Sequence, residues 1–299
     1  MELWKRAMTN ILITGANGFI AKSLNELLSH HYEIDMCDRQ KLDLLDADKV
    51  FNYIKKHHFD VVIHGATYDA APEFSTKDPK AVLENNLRMF FNLARCEKHF
   101  GKMIYFGSGA EFDRPNWAPR MSEDMFDRHV PSDQYGYSKY LMNKHARSSS
   151  NIYNLRLFGL FGKYDDWRYR FISNACCKAV LGMPISMRHN SVFDYLYIDD
   201  LTSTIDWAIN NIPEHKDYNV CSGESISYMA LANLIIEESG KKLEIIVEQD
   251  DTSYEYSGDN SRLIAEAGLV FTDIRSSIKK LYRTYLHNKS IISKELFVY

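Results

Sequence analysis

The chain has 299 residues, 45% of them hydrophobic and 25% charged, with 36 Lys and Arg against 40 Asp and Glu for a formal net charge of -4. This much apolar content with so little net charge excludes a disordered chain, and the balanced charge leaves no basic footprint for nucleic acid. No apolar run approaches the roughly 20 residues that span a bilayer and residues 1–10 lack a hydrophobic signal core, so a cytoplasmic protein with a small-molecule ligand and no membrane attachment is expected.

In chain order, short apolar runs alternate with segments of helical period. Strands are predicted over 11–14, 32–37, 61–64, 103–106 and 152–158, and helices over 20–30, 47–57, 79–99 and 138–148. Strands too short to be helices, alternating with helices, predict an α/β fold: a doubly wound parallel sheet of Rossmann type with helices on both faces. After Phe161 the rhythm changes to an aromatic and charged stretch, residues 162–171, then a helix-like run to Leu181 and a Gly182-Met183-Pro184 break. No Pro/Gly/Ser-rich linker or repeat separates the parts. A smaller, interleaved C-terminal substrate domain is therefore expected from residues 163–192 and 223–264. The Rossmann domain would take residues 9–162, with 193–222 and 265–288 returning to it. A last amphipathic helix is predicted over 274–287. Five cysteines with no Cys-x-x-Cys spacing suggest neither a zinc site nor a disulfide framework, and no metal is expected.

The strongest local signal is Ile11-Leu12-Ile13-Thr14-Gly15-Ala16-Asn17-Gly18-Phe19-Ile20-Ala21. A dinucleotide pyrophosphate needs a tight turn, close backbone approach and the free NH groups of a helix start. Gly15 and Gly18 meet the first two needs, Asn17, Phe19 and Ile20 line the loop, and Ala21 allows close helix packing. The next strand ends at Asp38-Arg39. An acidic residue here would hold a ribose 2'-hydroxyl and an arginine would accommodate a 2'-phosphate; both stand side by side. Arg39 makes NADP the expected cofactor, with NAD as the alternative.

Gly15-x-x-Gly18, Asp43-Leu44, His64-Gly65-Ala66-Thr67, Asn86, Ser108, Tyr135-Gly136-Tyr137-Ser138-Lys139 and Tyr197-Ile198-Asp199-Asp200-Leu201 occur in the order of the extended short-chain dehydrogenase/reductases, the NAD-dependent epimerase/dehydratase group. The chain resembles that family from about residue 9 to about residue 285. The resemblance implies a nucleotide-sugar substrate, a homodimer built on helices 79–99 and 136–148, and cofactor contacts from Asp38, Arg39, Asp43, Leu44, Gly65, Ala66, Thr67, Asn86, Tyr135 and Lys139. Physical chemistry gives the central three their own reading. Tyr135 and Lys139 at i, i+4 share a helix face, and the ammonium lowers the phenol pKa from about 10, so that Tyr135 exchanges a proton with a substrate oxygen. Ser108, at a strand end, would hydrogen-bond that oxygen as its charge develops.

Within the family, dehydratases resemble Ser/Thr-Asp-Glu at this strand end, where this chain has Ser108-Gly109-Ala110-Glu111. Dehydration is thereby disfavoured, and Gly109 and Glu111 become candidate substrate contacts. The short Arg39-to-Asp46 segment resembles that of GDP-fucose synthase. That enzyme's epimerising cysteine and histidine have no counterparts here: Ala110 stands at the first position, and residues 163–172 hold no histidine. The expectation is an NADPH-dependent 4-ketoreductase of a nucleotide-activated 4-keto-6-deoxy sugar, serving polysaccharide or glycoconjugate biosynthesis. Arg168, Arg170, Arg188 and Arg262 are candidates for its diphosphate, since guanidinium suits bidentate phosphate contacts. The alternatives are an NAD-dependent nucleotide-sugar 4-epimerase and a non-catalytic sensor or scaffold on the same fold.

Overall fold

A computed structural model describes residues 8–70, 75–249 and 255–297. Its first elements are β1 (Asn10–Thr14), α1 (Phe19–Leu28), β2 (Glu33–Cys37), α2 (Ala47–His57), β3 (Val61–His64), α3 (Val82–Ala94), β4 (Lys102–Ser108), α4 (Gln134–Ser148) and β5 (Ile152–Leu157). Then come β6 (Gly159–Phe161), α5 (Phe171–Leu181), β7 (Ile185–Met187), β8 (Val192–Tyr197), α6 (Ile198–Asn210) and β9 (Asp217–Val220). The chain continues with β10 (Ser225–Ser227), α7 (Tyr228–Ser239), β11 (Ile245–Val247), β12 (Glu255–Tyr256), α8 (Ser261–Ala267) and α9 (Ile274–His287).

The main sheet has the order β2-β1-β3-β4-β5-β9. β1 pairs in parallel with both β2 and β3, and β3 with β4. Every residue of β3 is buried, as expected of a parallel strand covered on both faces. The chain leaves β1 for β2 on one side and returns to β3 on the other, so Thr14 and His64 end side by side at the switch point where such sheets take ligands.

Local chemistry moves two predicted helix bounds. The predicted helix at 138–148 begins at Gln134, because the Asp133 carboxylate caps it by accepting from the Gly136 amide at 2.8 Å. Tyr135 therefore lies in the first turn. The predicted helix at 79–99 is α-helical only over Val82–Ala94, flanked by tighter 3₁₀ turns at Pro79–Ala81 and Glu97–His99.

The chain forms two compact units, one of residues 1–114, 126–156 and 205–218, the other of 115–125, 157–204 and 219–299. Residues 265–288, expected to return to the Rossmann part, instead fall in the second unit, where α9 packs on α5 and α7, and so do 115–125, 157–162, 193–204 and 219–222, likewise expected in the Rossmann part. Residues 250–254 of the expected substrate domain lie outside the described residues. In the second unit β8 is the hub: it pairs antiparallel with β10 and parallel with β6 and β12, while β7 pairs with β11. All five cysteines are buried free thiols.

Candidate active site

Gly15 has φ +77°, and a Cβ there would sit 2.8 Å from the Ala66 amide nitrogen. Only glycine fits both the conformation and the space. The Gly18 amide closes the turn on the Gly15 carbonyl at 2.8 Å, and Gly18 then caps α1 with no side chain over the helix's first amides. Asn17 and Gly18 are exposed, while Phe19 and Ile20 are half-buried. Behind the loop, the Thr14 hydroxyl bonds His64 Nδ1 at 2.9 Å and accepts from the Ala66 amide at 3.3 Å, locking the ends of β1 and β3 together. Burial holds His64 neutral, its pKa pushed down to about 3. A cradle that a single Cβ would fill, beside bare helix-end amides, fits a dinucleotide pyrophosphate. Gly15→Ala is expected to weaken binding of a reduced nicotinamide dinucleotide at least about tenfold through backbone strain; an unchanged fluorescence titration would contradict this.

The other expected cofactor residues divide. Asp38 follows β2, accepts from the Gln40 and Lys41 amides at 3.0 Å each, and faces Asn17 Nδ2 at 3.4 Å. Those contacts hold its carboxyl below the usual carboxylate range. Arg39 is exposed and only loosely paired, with Nε 3.6 Å from Asp43. The Leu44 side chain is buried, and its carbonyl accepts from Asn92 at 2.8 Å. Gly65 and Ala66 border Gly15, and Thr67 is exposed. Asn86 calls for a correction. It is buried, accepts from the Tyr68 amide at 2.7 Å and donates to the Tyr68 carbonyl at 2.9 Å, so it holds the loop after β3 rather than facing a cofactor itself.

Ser108 ends β4, and its Oγ accepts from the Ala110 amide at 3.2 Å, leaving the hydroxyl proton to donate elsewhere. Tyr135 is half-buried. Lys139, 5% exposed, donates from Nζ to the Phe106 carbonyl at 2.8 Å and lies 5.7 Å from the Tyr135 ring centroid. Burial brings its pKa down to about 8, against the raising influence of Glu111 and Asp69. It remains a cation at neutral pH beside the phenol.

Glu111 is a second correction. Instead of facing substrate it is fully buried, its Oε1 accepting from the Ser108 amide at 3.1 Å and its Oε2 paired with Arg156 Nε at 2.9 Å. Asn154 donates to both carboxylate oxygens at 3.1 Å, and Asn143 to Oε2 at 3.1 Å. Gly109, also buried, lies in the same turn.

The four candidate arginines lie in the second unit. Arg168 is clamped onto Asp166, two residues away, and Arg262 onto Asp124 at 2.9 Å; neighbouring carboxylates thus already occupy both. Arg170 and Arg188 line a cavity of about 500 Å³, together with Lys178 and an aromatic wall of Phe171, Phe193 and Tyr228. Phe171 stacks on Tyr228 at 3.9 Å between centroids.

Residues 11–221 match the model of the NAD dependent epimerase/dehydratase family, most of the chain. The chain belongs to this family. By that membership it is an NAD(P)-dependent oxidoreductase-type enzyme. Among similar proteins, dTDP-4-dehydro-6-deoxyglucose reductase of Escherichia coli is 28% identical over 86% of this chain and 91% of its own. GDP-L-colitose synthase of Yersinia pseudotuberculosis is 22% identical over 94% and 99%. The solved GDP-L-fucose synthetase of Naegleria fowleri bound to NADP shares the fold, with a TM-score of 0.82, 17% identity and coverage of 94% and 93%. Among the described residues no helix is long and apolar enough to cross a membrane.

Two features of this epimerase/dehydratase-family chain escaped the sequence reading. The Arg156 cluster joins residues 45 and 61 positions apart, although Asn143 and Arg147 continue the four-residue spacing of Tyr135 and Lys139 and could have flagged it. Lys178 sits within an apolar helix and carried no motif; it bonds the Ser186 hydroxyl at 2.8 Å.

Proposed function

We propose that this enzyme uses NADPH to reduce the C4 ketone of a nucleotide-activated 4-keto-6-deoxy sugar. One observation carries the reading: Ser108 ends β4, Tyr135 and Lys139 lie one turn apart on α4, and these groups suit ketone reduction, while the positions after the serine bear no carboxyl until Glu111. Elimination would need carboxyl groups at Gly109 and Ala110, and the nearby Glu111 is turned inward onto Arg156. The 4-keto sugar chemistry in the relatives' names supports the substrate class. The exposed Arg39 supports a 2'-phosphate on the cofactor.

NADPH, when bound, supplies hydride to the carbonyl carbon. Ser108 donates its free hydroxyl proton to the carbonyl oxygen, orienting it and stabilising its developing charge. Tyr135 delivers the proton that turns the alkoxide into an alcohol. Lys139 keeps its positive charge beside the phenol and so eases that transfer. We further propose a homodimer joined through α3 and α4, which light scattering checks.

The test is NADPH oxidation, followed by absorbance, with a panel of GDP-, dTDP- and CDP-4-keto-6-deoxy sugars. Turnover of at least one is expected, and none across the panel overturns the reading. A second reading, an NAD-dependent 4-epimerase, is favoured by Asp38, whose carboxylate faces the glycine loop through Asn17 where a ribose diol would want it. NAD that copurifies, with sugars interconverted without added NADPH, would establish that reading instead.

A further inference from the structure

We infer that Glu111, Arg156 and Asp217 are positioning residues: together they fix the register of α4, and hence of Tyr135 and Lys139, against the turn that holds Ser108. Tyr135, Lys139, Asn143 and Arg147 recur every four residues and form one ridge of α4. The first two carry the proposed proton transfer. The last two enter the buried cluster. Asn143 donates to Glu111 at 3.1 Å and to Asp217 at 3.3 Å, and Arg147 pairs with Asp217 at 2.9 Å. Through its other oxygen, Glu111 accepts from the Ser108 amide at 3.1 Å. A single carboxylate is thus bonded at once to the serine turn and to the helix of the tyrosine and lysine.

Arg156 anchors this arrangement. Its guanidinium is wholly buried, pairs with Glu111 at 2.9 Å and Asp217 at 2.7 Å, and lies over the Phe112 and Phe126 rings. Space is reserved for the cluster as well: a Cβ on Gly107 would sit 2.2 Å from Glu111 Oε1 and from Asn154 Oδ1. The plainer account is that the cluster only stabilises the core. Buried ion pairs serve that end poorly, because apolar groups of similar volume often stabilise as well or better. Directional bonds to both catalytic elements are what apolar groups would not supply. None of the three residues is assigned a contact with substrate or cofactor. The kinetic side of the inference rests on the ketoreductase reading; the geometric side does not.

Two variants and three readouts test it. Glu111→Gln keeps an acceptor for the Ser108 amide and removes the charge. The triple variant Glu111→Leu, Arg156→Met and Asp217→Leu keeps apolar volume and strands no partner within the triad. The first readout is the NMR titration of Lys139 in protein carrying ¹³C-lysine, assigned by its loss in Lys139→Arg. Among the described residues the charges facing Lys139 are Glu111 from the turn after β4 and Asp69 from the loop after β3, with His64 on β3 neutral and Tyr135 on its own helix. Removing Glu111 is expected to lower the Lys139 midpoint from about 8 in both variants. The second readout is turnover: kcat is expected to fall about 100-fold in the triple variant, as for misplaced catalytic groups, with KM unchanged. A folded triple variant with wild-type kcat, or a Lys139 midpoint unmoved in Glu111→Gln, overturns the inference. If the wild type turns over no sugar in the panel, the ketoreductase reading fails, while a crystal structure of the triple variant, which needs no substrate, still decides the inference: α4 unmoved against the Ser108 turn overturns it.

Discussion

Tyr135→Phe is expected to lower turnover of the 4-keto sugar about a thousandfold, the middle of the range for general acid catalysis, while leaving NADPH affinity close to wild type. The substitution removes one oxygen from a half-buried ring in the first turn of α4 and leaves the helix cap at Asp133 in place. Lys139 stays on the Phe106 carbonyl. With the proton donor gone, Ser108 still stabilises the developing alkoxide, but solvent must supply the proton. Steady-state kinetics beside a fluorescence titration of NADPH checks both halves. Full turnover by Tyr135→Phe would remove the tyrosine from the mechanism.

The largest effect on stability is expected from Arg156→Ala, about 3–5 kcal/mol, the usual result of taking one partner from a buried ion pair. Asp217 would keep Arg147 at 2.9 Å, so the stranded charge is chiefly Glu111. Its carboxyl is already raised above the ordinary value by burial, with Arg156 working against that rise. Without Arg156 it should rise further. A carboxyl raised in the folded state is stabilised below its unfolded pKa and loses that stability as pH rises through the folded value. The penalty of Arg156→Ala should therefore be smaller near pH 5 than near pH 8. Urea midpoints at the two pH values measure it, with Arg168→Ala as the contrast: that partly exposed pair with Asp166 should cost at most about 1 kcal/mol. A loss under about 1 kcal/mol for Arg156→Ala at pH 8 would contradict the account.

What the sequence disclosed follows from how local each constraint is. Gly15 and Gly18 stand out because a strand-to-helix turn around a phosphate is specified within a few consecutive residues, and β1, β3 and β4 are visible because burial makes them largely apolar, whereas β9, with Asp217 and Asn219 in its four residues, is not predicted. Tyr135 and Lys139 are legible from one helical turn. The role of Glu111 is not, because its partners Asn143, Asn154 and Arg156 are 32 to 45 residues away and nothing local separates a buried glutamate from an exposed one. The same holds for Asn86, which reads as a ligand until the Tyr68 backbone is found bonded to it. The place of α9 was misjudged for a related reason: an amphipathic pattern says that a helix lies on something, not on what.

The crowding around Gly107 also bears on how such an enzyme changes its reaction. Relatives that remove water resemble Asp-Glu at the two positions after the serine, and here those positions are buried directly beside Glu111. Glu111 already fills the space beside Gly107, where there is no room even for a methyl group. On the ketoreductase reading, acids at Gly109 and Ala110 would therefore have to be accommodated within a buried turn beside Glu111, which makes the interior as well as the substrate side a constraint on changing the reaction.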